Sequence, residues 1–134
     1  GSLKGKRVAI LGLSFKADTA DKREARAIPI VNQLIKEGAN VTVYDPVAMS
    51  IAKTIFKNKI QYAPSTIECL KNADCCILVT EWDEFKKLDF KKIKRVMKHA
   101  ILFDGRNLYH DQNLKASGFE YYGVGRGMLE RKRS

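Results

Sequence analysis

The stretch Arg7-Val8-Ala9-Ile10-Leu11-Gly12 decides the fold. It is too short for a stable helix, shows no apolar–polar alternation and stops on a glycine, which predicts a strand buried on both faces, as in a parallel sheet. Downstream the period changes. Between about Arg26 and Glu37, Ile28, Val31, Leu34 and Ile35 share one helical face, with Pro29 in the first turn and Gly38 as the stop. Val41-Thr42-Val43-Tyr44 reads as a second strand, closed by Asp45-Pro46.

The alternation continues to the end of the chain. A helix is predicted from Met49 to Lys57, a short strand from Ile60 to Tyr62, and a helix to Leu70 capped by Ser65 or Thr66 with Glu68 in its first turn. Cys75 to Val79 reads as a strand, Lys91 to Lys98 as a helix and Ala100 to Phe103 as a strand. Asp111 can cap a short helix to Ala116, before a last strand from Phe119 to Tyr122. Strands alternating with helices predict an α/β fold: one doubly wound, mostly parallel, Rossmann-like sheet with helices on both faces. The domain is expected to span residues 3–126. Gly1-Ser2 reads as the remnant of a removed tag, and the basic tail of residues 127–134 is expected to fray.

Composition sets limits on function. A hydrophobic share of 45% suits a globular chain, and no apolar run approaches the roughly 20 residues of a membrane helix. The formal charge of +10, from 25 Lys+Arg against 15 Asp+Glu, favours anionic partners. A nucleic-acid-binding module is therefore one class to weigh, but it needs a contiguous basic surface or an aromatic platform, and the lysines are scattered. Cys69, Cys75 and Cys76 make an odd set without a C-x-x-C pair, which fits a reducing, cytoplasmic setting. Cys75 and Cys76 fall inside an apolar run and read as small buried hydrophobes, and nothing nearby would lower a thiol pKa for catalysis.

In open parallel sheets ligands bind beyond the carboxyl ends of the strands, where the winding reverses. Three loops qualify: Gly12 to Arg23, Thr80 to Phe85 and Asp104 to Asn107. The first has one glycine where a dinucleotide fingerprint needs three, and it exceeds the usual connection of roughly 2–6 residues. It offers an aromatic plane, Phe15, and two cations, Lys16 and Arg23, which suit an anionic, ring-bearing ligand such as a nucleoside diphosphate. The competing reading makes Phe15 core and pairs Lys16 and Arg23 with Asp18 and Asp21. In the third loop, Arg106 can fork onto a phosphate or base carbonyl, or pair with Asp104.

At these residues the sequence resembles a known family, the UDP-glucose/GDP-mannose dehydrogenases, in their C-terminal domain. The matching stretches are Gly12 to Glu24, Val43-Tyr44-Asp45-Pro46, Thr80-Glu81-Trp82 and Asp104-Gly105-Arg106-Asn107, in the family's order across essentially the whole chain. The first stretch is most like the UDP-glucose branch; the GDP-mannose and UDP-N-acetylmannosamine branches stay open. The resemblance implies a parent enzyme that oxidises a nucleotide sugar's primary alcohol to a carboxylate in two hydride transfers to NAD. It also implies N-terminal and central domains outside this chain that hold NAD and the catalytic cysteine, a dimeric or larger assembly, and no nucleic-acid or membrane partner. It places Phe15, Lys16 and Arg106 on the UDP-sugar and Arg23 toward the NAD held elsewhere. No residue here is assigned to catalysis or to a metal. Asp45 is expected to form a turn with Pro46 rather than to hold a ribose.

Overall fold

A computed structural model of the chain describes residues 3–13, 27–80, 83–105, 114 and 117–123. Six strands form one sheet in the order β3-β2-β1-β4-β5-β6, and every neighbouring pair is parallel. They are β1 (Arg7–Leu11), β2 (Asn40–Tyr44), β3 (Gln61–Tyr62), β4 (Cys75–Leu78), β5 (Ile101–Asp104) and β6 (Glu120–Gly123). The helices are α1 (Ala27–Lys36), α2 (Met49–Phe56), α3 (Thr66–Leu70), α4 (Asp83–Lys86) and α5 (Phe90–Val96). This is the doubly wound α/β sheet that the sequence predicts, and its winding reverses between β1 and β4.

The two-residue period of a strand divides the core into two layers. Val8 and Ile10 of β1 pack with Val31 and Leu34 of α1 and Ala52 and Phe56 of α2. Ala9 and Leu11 face the other way, against Cys69 and Leu70 of α3 and Ile93 of α5. With helices on both sides, β1 has four of its five residues buried, which is why it is continuously apolar.

Local signals set the element ends. After α1, Gly38 takes φ +86°, its N–H donates to the Ile35 carbonyl and the Ala39 N–H donates to Leu34, a paired closure that favours glycine. Pro29 sits in the first turn of α1, where its missing N–H is not needed. Ser65 caps α3 by accepting from the Glu68 N–H at 3.2 Å, and Asp89 caps α5 by accepting from Lys91 and Lys92. Two expectations need correction. Cys75 is half-buried rather than buried, on the same face of β4 as the half-buried Ile77. The loop after β4 is shorter than expected, because α4 begins at Asp83. The helix expected from Asp111 and the basic tail lie outside the described residues, and no helix among those described is long and apolar enough to cross a membrane.

Candidate functional site

The carboxyl edge of the sheet is built from the residues that follow β1, β2, β4 and β5. At the winding reversal β1 and β4 come into close contact. Gly12 has φ +87°, and a Cβ there would lie 2.5 Å from Thr80 Cβ and 2.8 Å from the Thr80 backbone nitrogen. Glycine is therefore required twice over, by backbone conformation and by space. Its N–H donates to the Tyr44 carbonyl at 2.8 Å, and the Val79 N–H donates to Leu11 at 2.9 Å, so the first long loop leaves from a fixed point.

Asp45 sets the direction of that departure. Its carboxylate is 1% exposed. Oδ2 accepts from the Leu13 N–H at 2.9 Å, and Oδ1 accepts from the Val47 and Ala48 N–H groups, each at 2.8 Å. The expected turn with Pro46 is present, and the bond to Leu13 adds a tie from β2 to the loop after β1. A dinucleotide site needs an acid in this position turned outward to a ribose. Here the acid is turned inward to backbone donors. With a single glycine and this inward acid, the described residues do not fit a resident NAD.

The loop after β4 is moored on its far side. The Tyr44 hydroxyl donates to Glu84 Oε1 and the Thr66 hydroxyl to Glu84 Oε2, both at 3.1 Å, joining α4 to β2 and to the start of α3. Burial, with the hydrogen bond and charge of Glu84 adding to it, pushes the Tyr44 phenol up to about 12. The ring of Tyr44 meets Phe85 edge-on at 6.3 Å.

At the end of β5, Asp104 is fully buried and its Oδ2 accepts from the Tyr121 hydroxyl at 2.7 Å. Gly105 follows at a second close approach: its N–H donates to the Leu78 carbonyl at 2.9 Å, and a Cβ would stand 2.7 Å from that oxygen. The chain therefore leaves β5 pressed against the end of β4, immediately before Arg106.

Phe15, Lys16, Arg23 and Arg106 lie outside the described residues, as do Glu81 and Trp82. What the structure supplies is the residues next to two of these loops, Leu13 tied to Asp45 after β2 and Gly105 tied to Leu78 of β4. Sequence reading placed Thr80 in a ligand-side loop but did not anticipate its contact with Gly12, nor Tyr121 or the Glu84 clamp. Their contacts depend on which strands are neighbours and in what register, and no local pattern carries that information.

The cysteines offer no nucleophile. Burial raises Cys69 to about 12, Cys75 to about 11 with the Asp74 charge adding to it, and Cys76 well above the ordinary thiol range. A reactive thiol needs the opposite shift. The basic clusters are divided as well. Lys53 belongs to α2 on one side of the sheet, while Lys91, Lys92 and Lys94 belong to α5 on the other.

Comparison with known proteins agrees with this geometry. Residues 9–111 match the model of the UDP-glucose/GDP-mannose dehydrogenase family, UDP binding domain. The UDP-glucose 6-dehydrogenase TuaD of Bacillus subtilis (strain 168) is 36% identical over 126 residues, 94% of this chain and 27% of that protein. The UDP-glucose 6-dehydrogenase of Rickettsia conorii is 40% identical over 93% of this chain and 29% of its own length. Among solved structures, the NDP-N-acetyl-D-galactosaminuronic acid dehydrogenase of Methanosarcina mazei Go1 superposes with a TM-score of 0.72 at 27% identity, covering 91% of this chain and 25% of its own. The chain thus spans under a third of the length of each of these proteins. By the family model that takes in most of its length, the chain belongs to the UDP-glucose/GDP-mannose dehydrogenase family.

Proposed function

We propose that this chain is the nucleotide-sugar-holding domain of an NAD-dependent UDP-glucose 6-dehydrogenase. The observation that carries the reading is the inward carboxylate of Asp45, bonded to the Leu13, Val47 and Ala48 N–H groups. It leaves a doubly wound crevice whose usual ribose acceptor is engaged elsewhere, beside a glycine-poor loop carrying an aromatic and two cations. Such a site suits a uridine diphosphate better than a dinucleotide.

Phe15 stacks on or packs against the uridine, Lys16 and Arg106 hold the diphosphate from the two loops, and Arg23 reaches across to NAD held by another part of the protein. The parent oxidises the sugar's primary alcohol to a carboxylate, with NAD and the nucleophilic cysteine supplied by domains outside these residues. It works in the cytoplasm as a dimer or larger assembly. The names of the UDP-glucose 6-dehydrogenase relatives, at 36% and 40% identity, support glucose as the sugar over the UDP-N-acetylmannosamine and GDP-mannose alternatives.

Titration of the 134-residue chain with UDP, followed by NMR or calorimetry, tests the reading. UDP is expected to bind, GDP and NAD more weakly. Lys16→Ala and Arg106→Ala should each weaken UDP by about tenfold or more, the loss of a charge-assisted bond. Saturable binding of NAD in preference to UDP sinks the proposal.

A further inference from the structure

Thr80 is the unabsorbed member of the site. Among the described residues three buried polar atoms lack a hydrogen-bond partner: Arg7 Nε, Asp74 Oδ1 and Thr80 Oγ1. The first two belong to one cluster at the amino edge of the sheet. There the Arg7 N–H donates to Asp74 Oδ2, and His99 Nε2 stands 3.6 Å from Asp74 Oδ1. Thr80 stands apart from them, at the carboxyl edge, at the point where the winding reverses.

Its hydroxyl is turned against Gly12, 2.8 Å from where a Cβ would be. A buried hydroxyl without a partner costs roughly 1–3 kcal/mol, and a valine of the same shape would not incur that cost. Packing alone therefore does not explain a threonine here. The residue itself is only half-buried and stands at the carboxyl edge of the sheet, so a turn about χ1 between staggered wells can carry the oxygen away from Gly12 toward a ligand at that edge. In a doubly wound sheet that is where a ligand's anionic groups lie.

We propose that Thr80 is a binding residue for the nucleoside diphosphate: its hydroxyl, which lacks a hydrogen-bond partner beside Gly12, turns out and donates a hydrogen bond to a ligand oxygen. The inference rests on the nucleotide reading above and deepens it. The unmade bond of the free form makes the ligand bond more favourable, because binding replaces an unsatisfied buried group instead of a hydrated one.

The test compares Thr80→Val and Thr80→Ser with the unmodified chain, by UDP titration and by thermal melting without ligand. Thr80→Val should weaken UDP about tenfold while melting at the same or a higher temperature, since it deletes an unpartnered buried oxygen. Thr80→Ser, which keeps the hydroxyl, should stay within about threefold of the unmodified affinity. A Val variant that binds UDP as well as the unmodified chain overturns this inference alone, and so does a Ser variant as weak as the Val variant. A melting temperature that falls in step with affinity overturns it too, by assigning Thr80 a structural role. If the unmodified chain itself does not bind UDP, the nucleotide reading falls and this inference falls with it.

Discussion

Gly12 and Asp45 show how single residues fix where a loop begins. Gly12 combines φ +87° with a contact that would put a Cβ 2.8 Å from the Thr80 backbone nitrogen, which cannot swing aside as a side chain tip can. Gly12→Ala is therefore expected to destabilise the domain by about 2–4 kcal/mol, from left-handed backbone strain together with overpacking. Chemical denaturation measures it, and a loss under about 0.5 kcal/mol, the ordinary range for an inconsequential surface change, would show that the crevice yields. Asp45 accepts from backbone donors through both oxygens. Asn has one carbonyl oxygen, so Asp45→Asn must leave Leu13 or the Val47–Ala48 pair facing an NH2 group. The expected cost is about 1–3 kcal/mol, with UDP affinity falling as the start of the Phe15–Lys16 loop loosens. A variant as stable as the parent would mean that these donors find other partners.

Elements were largely legible because their signals are local. The apolar run of β1, the helical spacing of Ile28, Val31 and Leu34, the serine before α3 and the glycine after α1 each act within a few residues. The short α4 escaped because a single turn has too few residues to show a period. The ties at the carboxyl edge were not legible. Asp104 and Tyr121 lie on strands that the sequence does not declare adjacent, and only the parallel register Leu102↔Tyr121 and Asp104↔Gly123 brings phenol and carboxylate together. That bond fastens edge strand β6 to the end of β5, just ahead of Gly105. Removing the donor by Tyr121→Phe should cost about 1–3 kcal/mol, because a buried carboxylate loses a partner. Amide exchange should rise first in β6, an edge strand held by β5 alone. Uniform exchange across all six strands would show instead that the bond stabilises the whole sheet.

At the scale of the whole molecule the two-layer core governs the response to pH. Burial holds the thiols of Cys69 and Cys75 at about 12 and about 11 and pushes that of Cys76 well up, against an ordinary value of 9.0. Each thiol is neutral when protonated, so the folded chain keeps protons that the unfolded chain releases once the pH passes the ordinary value. Stability from these groups is therefore complete below about pH 8 and declines as the pH rises through 9 toward 12. Tyr44 adds to the decline from pH 10, but its phenol is half-exposed and screened by water, so the cysteines dominate. A Cys69→Ala variant isolates the contribution of one of these thiols. Urea midpoints of the parent should be level from pH 7 to 8 and fall above 9, and the variant should fall less steeply. Parallel curves would mean that Cys69 is no harder to ionise in the fold than in the open chain, and the core around α3 would then have to be wetter than its buried Cys69 and Leu70 indicate.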